Sequence, residues 1–214
     1  MQIYPSMSPL QLGGKQGSAV ALGYFDGIHI GHRTVICGAV DWAQAHGAAA
    51  ALFTFKLPGG SKIKGRRLYS VEEKRRIVAG LGVEHYLVPT FADIMSMTPE
   101  QFVRGLVADC RARAFFCGEN FTFGARAAGD PALLQKLCQP LGVEVHILPM
   151  AQFEGRPVSS TRIRAALEGG DIPAANAMLG APYAIRFPVR HGAGLGRTLG
   201  VPTINQIYPE GYQL

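Results

Sequence analysis

Gly23-Tyr24-Phe25-Asp26-Gly27-Ile28-His29-Ile30-Gly31-His32 joins the apolar run at 18–23 (SAVALG) to a helical pattern, and this strand–loop–helix step decides the fold. The helix is expected over 31–46, with Val35, Ala39, Trp42 and Ala43 on one face and Gly47 as its stop. Two imidazoles stand three residues apart, with a glycine between them, where the loop meets the helix start. A helix N-terminus offers unpaired N–H groups and positive potential, which suit phosphate. Gly31 has no Cβ, so an anion can approach the backbone closely. His29 and His32 can then donate hydrogen bonds to phosphate oxygens as charge builds on them. Nucleotidyl transfer needs this arrangement more than a side-chain nucleophile, because the acceptor's own phosphate can attack. A single histidine is most often structural; two in His-x-Gly-His after a strand point to chemistry.

The same alternation continues outward. Residues 49–55 and 83–88 read as buried strands, and Ser70 with Glu73 reads as a capping box opening a helix. Thr98-Pro99 with Gln101 starts another helix, and 114–117 is a fourth strand. Asp130-Pro131 opens a helix ending near Gly142, and 143–148 is a fifth strand. Such alternation predicts an α/β fold, a parallel sheet with helices on both faces. Two short helices follow at 160–168 and 171–179, then Gly180 and Pro182 punctuate the chain. Tyr183, Ile185, Phe187 and Val189 alternate with their neighbours, the mark of a half-buried antiparallel strand. A domain boundary is placed near Gly180, giving units 1–180 and 181–214, the second too short for a core of its own.

A 48% hydrophobic content with 17% charge is that of a globular chain rather than a disordered one. No charged segment precedes an apolar core at the start, so no signal peptide is expected, and no apolar run reaches the ~18 residues of a membrane span. Cys37, Cys110, Cys117 and Cys138 form no metal-binding spacing, which points to reduced thiols and a cytoplasmic location. The net charge of +6 fits phosphorylated ligands or a polyanionic partner. Seven basic residues fall between Lys62 and Arg76 and read as a solvated loop and helix face. Nucleic acid is disfavoured, because Tyr69 is the one aromatic among them.

A second candidate site is Val158-Ser159-Ser160-Thr161-Arg162-Ile163-Arg164, where hydroxyls cap a helix and two arginines add charge-assisted donors. Such a corner suits the β- and γ-phosphates of a nucleotide. A third is the loop 118–124, whose Phe121 and Phe123 can cover a flat ring while Asn120 offers both donor and acceptor.

Together these segments resemble the bacterial bifunctional riboflavin kinase/FAD synthetase family, over nearly the whole chain. The loop 23–32 resembles that family's ATP-binding signature, Gly118-Glu119-Asn120-Phe121-Thr122-Phe123-Gly124 through Arg126 and Gly129-Asp130 its second, and Ser159 to Arg164 its third. The resemblance implies a Rossmann-like nucleotidyltransferase domain that makes FAD and pyrophosphate from ATP and FMN with Mg²⁺. On that reading His29, His32 and Arg162 carry catalysis, and Gly23, Phe25, Asp26, Gly31, Ser160, Thr161 and Arg164 bind ATP. Asn120, Phe121 and Phe123 face the flavin. The Gly-rich tail 192–205 resembles the start of the family's riboflavin kinase barrel, which implies an incomplete Mg²⁺ site at Thr203 and Asn205. Most of that barrel does not follow, so kinase activity is not expected of this chain.

One segment departs from the pattern. The family has an acid or Asn and then Pro-His-Pro after Thr-Phe; here Thr54-Phe55 leads into Lys56-Leu57-Pro58-Gly59-Gly60. Lys56 offers a mobile point charge to a phosphate instead. Two other readings stay open: another phosphorylated acceptor, or a flavin- and nucleotide-binding regulator without catalysis. The sequence assigns no oligomeric state.

Overall fold

The computed structural model describes residues 1–57, 66–208, 211 and 213. In chain order the first half gives β1 (Gln2–Tyr4), β2 (Ser18–Leu22), α1 (Ile30–Ala45), β3 (Ala49–Phe53), α2 (Val71–Gly80) and β4 (His85–Leu87). Next come α3 (Phe91–Ile94), α4 (Pro99–Cys110), β5 (Ala112–Gly118), α5 (Pro131–Cys138) and β6 (Glu144–Leu148). The six strands form one sheet in the order β1-β4-β3-β2-β5-β6, every neighbour parallel. The expected α/β architecture is therefore present, with one strand more than the sequence suggested. That strand, β1, has three residues, too few to show a period.

All five residues of β2 and all five of β3 are buried, because helices cover both faces. Ala19, Ala21, Ala50 and Leu52 pack with Val35, Ile36, Ala39 and Val40 of α1 on one face. Val20, Leu22, Ala51 and Phe53 pack with Phe102, Val103 and Leu106 of α4 on the other. Local chemistry starts the helices where the sequence placed them. The Thr98 hydroxyl accepts from Gln101 N–H at 3.2 Å while the Gln101 side chain accepts from Thr98 N–H at 2.9 Å. Asp130 accepts from Leu133 N–H at 2.8 Å. At α2 half of the expected box forms. Ser70 accepts from Glu73 N–H at 3.0 Å, but the Glu73 carboxylate turns to Arg76 and Arg186 instead.

Beyond the sheet lie a short hairpin, β7 (Gln152–Phe153) with β8 (Arg156–Pro157), and the helix pair α6 (Ser160–Glu168) and α7 (Ile172–Leu179). Ile163, Leu167, Met178 and Leu179 join Leu68 and Tyr69 in a satellite core. The strand expected over 183–189 is corrected: β9 is confined to Val189–Arg190, paired antiparallel with β10 (Asn205–Gln206). Tyr183, Ile185 and Phe187 are half-buried as the alternation required, and the strand itself begins at Val189. A four-residue helix, α8 (Leu195–Thr198), lies between β9 and β10.

Candidate active site

The strand order reverses between β2 and β5, and in open parallel sheets the crevice at the carboxyl ends of such strands is the ligand site. Here the loop after β2 and the loop after β5 wall a cleft of about 360 Å³, with Gly23, Phe25, His29, Gly31, His32, Asn120, Phe121 and Ser160 in its lining. Eight residues nominated from three separate segments are thus brought together.

His29 is the N-cap of α1: its Nδ1 accepts from His32 N–H at 3.3 Å. That bond leaves the proton of neutral His29 on Nε2. The two rings stack at 3.6 Å between centroids, 16° apart, and Phe25 meets His32 edge-on at 5.3 Å. Burial pushes the His29 pKa down to about 4, against the opposing pull of Asp26. Burial, the neighbouring His29 and Lys74 hold His32 well below the usual imidazole range. Both rings are neutral at pH 7, and the buried His32 Nδ1 has no partner among the described residues. The loop is backbone-strained as well, with Phe25 at φ 48° and Ile28 at φ 43°, a region branched side chains avoid. Gly27 allows the close approach that ties the loop to α6, since a Cβ there would lie 2.8 Å from Leu68 and 3.2 Å from Ser160 Oγ.

Asp26 and the two arginines stand elsewhere. Asp26 is 6% exposed and pairs through Oδ2 with Arg164 Nη2, while Lys74 Nζ lies 3.6 Å from Oδ1. Arg164 also donates to the Arg66 carbonyl at 2.5 Å. Arg162 donates to the carbonyls of Phe153, Arg156 and Pro157 at 2.8–3.3 Å, fastening α6 to the hairpin. Ser159, not Ser160, is the N-cap of α6, and Thr161 is exposed outside the cleft lining.

A second cavity of about 230 Å³ opens beside the cleft, walled by Phe53, Phe55, Phe91, Phe102, Phe121 and Phe123. Phe121 and Phe123 stack at 5.6 Å and 14°, and Phe102 lies 5.4 Å from Phe123. Flat aromatic walls of this kind suit a planar ring system. Phe53, Phe55, Phe91 and Phe102 were not nominated from sequence, because an aromatic in a core strand or helix carries no local sign that it borders a cavity.

A third cavity, of about 310 Å³, is lined by Tyr24, Asp26, Lys56, Arg67, Tyr69 and Lys74 among others. The basic run is therefore not wholly a solvated face: Lys74 is 18% exposed and directed at Asp26. Of the departing segment 56–60, Lys56 is bridged to Thr90, and Pro58, Gly59 and Gly60 lie outside the described residues. Thr203 and Asn205 share a separate tail cavity with Arg190, Arg197 and three glycines, with no carboxylate in its lining.

No three His, Cys, Asp or Glu side chains converge as a metal cage among the described residues. Asp26, beside the cleft loop, is held by Arg164 and Lys74, and the Glu119 carboxylate accepts from the Met150 backbone N–H. The protein groups therefore do not by themselves fit a bound Mg²⁺, and no step below runs through one. No helix among the described residues is long and apolar enough to cross a membrane.

Residues 13–162 match the FAD synthetase family and residues 179–213 match the riboflavin kinase family. The chain is 33% identical to the bifunctional riboflavin kinase/FMN adenylyltransferase of Bacillus subtilis strain 168, over 88% of this chain and 61% of that protein. It is 31% identical to the protein of that name from Escherichia coli K12, over 96% of this chain and 67% of the relative. The chain thus spans about three fifths of the length of the Bacillus relative. A crystal structure described as a macrolide-efflux protein from Streptococcus pneumoniae superposes with a TM-score of 0.83 at 28% identity, covering 100% of this chain and 70% of that one. The switch-point cleft, its paired imidazoles and the match over most of the sheet lead to one conclusion: this chain belongs to the FAD synthetase family.

Proposed function

We propose that this chain transfers the adenylyl group of ATP to FMN, giving FAD and pyrophosphate. The carrying observation is the stacked His29–His32 pair at the N-terminus of α1, next to a cavity walled by six phenylalanines. An FMN phosphate oxygen attacks the α-phosphorus, and the Nε2–H of His29 and the first N–H groups of α1 stabilise the charge that develops there. Neutral imidazoles suit this role, since they donate without needing a proton from solvent. Ser160 and the N-terminus of α6 line the cleft as well, Phe121 and Thr122 line both the cleft and the aromatic cavity, and Asn120 stands on the cleft side. Arg162 and Arg164 act through the walls they fasten, the hairpin and Asp26 respectively.

Further parts of the reading are a cytoplasmic location, Mg²⁺ arriving with the ATP phosphates, a division near residue 180, and Thr203 with Asn205 as part of a kinase-type site. Four free thiols support the first of these. The test is chromatography of flavin products after incubation with ATP and Mg²⁺ plus FMN, riboflavin or neither. FAD formed with FMN alone is the expected result. Saturable binding of ATP and FMN with no pyrophosphate release favours a non-catalytic binding role, a reading kept by the unusual Lys56 segment.

A further inference from the structure

We infer that Tyr183 and Arg186 are positioning residues for the loop at 23–32: from outside the cleft they clasp the segment at 66–74, whose other side backs Asp26 and Gly27. The inference goes beyond the adenylyl-transfer reading and rests on it only for the expected effect on rate.

Residues 66–70 lead into α2 without joining the six-stranded sheet, so their backbone groups need partners from elsewhere. The tail supplies several of them. Arg67 N–H donates to the Gly211 carbonyl at 2.8 Å, and Gln213 N–H donates to the Arg67 carbonyl at 2.8 Å. The Tyr183 hydroxyl closes the clasp, 2.6 Å from the Gln213 carbonyl and 3.1 Å from the Leu68 carbonyl. Arg186 extends it to α2 by donating to the two Glu73 carboxylate oxygens at 2.7 and 3.0 Å, one residue before Lys74.

The opposite side of the same segment meets the loop. The Arg66 carbonyl accepts from Arg164 Nε at 2.5 Å, and the same guanidinium pairs with Asp26. Lys74 Nζ lies 3.6 Å from the other oxygen of that carboxylate. Leu68 is buried and so close to Gly27 that a Cβ there would lie 2.8 Å from its side chain. Leu68 belongs to the satellite core, against which Tyr183 and Ile30, the first residue of α1, both pack. At Asp26 and Gly27 the loop therefore rests on a segment that the tail holds.

Such backing matters because Phe25 and Ile28 keep positive φ in this loop, and a strained backbone persists only while its surroundings impose it. Neither Tyr183 nor Arg186 lines the cleft, so both act through the segment rather than on a ligand. The Arg186 side chain is 56% exposed, and Glu73 keeps Arg76 when it is lost, so its removal leaves no buried charge unpaired. What the clasp controls is placement, and a shift of about 1 Å near reacting groups is enough to cost about 100-fold in rate.

The test uses Tyr183→Phe, Arg186→Met and Arg186→Lys in the full chain, with FAD formation from ATP and FMN and hydrogen exchange of backbone amides as readouts. For Tyr183→Phe and Arg186→Met we expect kcat to fall about 3- to 10-fold while the KM values for FMN and ATP stay within about twofold. Arg186→Lys recovers part of the loss. Amides at 66–70 and at 23–32 exchange at least about threefold faster in both variants. An unchanged kcat overturns the inference, as does faster exchange that stops at 66–70, or a rise in the KM values that matches the fall in kcat. Should Tyr183→Phe fail to fold, the exposed Arg186→Met supplies the same comparison. Should the parent chain make no FAD, the adenylyl-transfer reading fails by itself, and exchange at 23–32 alone upholds or sinks the clasp.

Discussion

Two of the glycine-bearing motifs legible in this chain are treated very differently by the structure. The His-x-Gly-His loop is set into the core: Asp26 and His29 are buried, and Ile28 is 1% exposed. The tail motif is displayed on an open surface, where Val189, Leu195, Leu199, Val201 and Ile204 are each 59–73% exposed. The tail meets the body through Tyr183, whose hydroxyl lies 3.1 Å from the Leu68 carbonyl, through Arg186, which donates to Glu73 at 2.7 Å, and through backbone bonds of Arg67 with Gly211 and Gln213. A motif supplies the right groups; burial of its neighbours fixes where those groups point. Catalysis by positioning needs both.

That contrast can be broken at several depths. Asp26→Asn leaves Arg164 buried beside an uncharged partner, so urea unfolding should show a loss of about 3–5 kcal/mol. His29→Ala should lower the rate of FAD formation about 100- to 1000-fold, whereas Thr203→Ala should leave it within about twofold; similar losses at both sites would erase the distinction between them. Acid sharpens it further. The folded-state pKa of His29 lies at about 4, below the unfolded value of 6.5. The unfolded chain therefore takes up a proton first as pH falls, and stability that is complete above pH 6.5 is lost progressively down to pH 4. The loss from His29 is on the order of 3 kcal/mol, with His32 adding in the same direction. Thermal melts of His29→Gln should lose the His29 share of that slope and keep the share of His32. Leu199→Ser, on the tail, should change stability by less than about 0.5 kcal/mol.

The sequence was most legible where structure is local. Ser70, Thr98, Asp130, Ser159 and Asp171 all begin helices, because a short oxygen-bearing side chain satisfies an N–H two or three residues on. Phe121 and His29 are 92 positions apart, yet both motifs lie at strand ends and the topology brings them together. Legibility failed where partners are distant. Arg162 and Arg164 look alike as phosphate donors, but which carbonyl or carboxylate claims a guanidinium depends on segments far away, such as Asp26. Lys74 was submerged in a basic run for the same reason: its count of charges was visible and its inward turn was not. The tail alternation gave the inner face of Tyr183, Ile185 and Phe187, whereas Val189 is exposed and is the residue that enters the pairing with β10.

The placement of β1 carries a consequence for how this chain is made. Gln2, Ile3 and Tyr4 pair with His85, Tyr86 and Leu87. A ribosome releases the first segment long before its docking edge exists, so the earliest residues must wait, unpaired, until the fourth strand has emerged and found β3. During that interval the forming sheet presents β4 as an open border, and the waiting N-terminal segment is what later closes it. In this half of the molecule β1 is therefore made before β2, β3 and β4 and is paired after them.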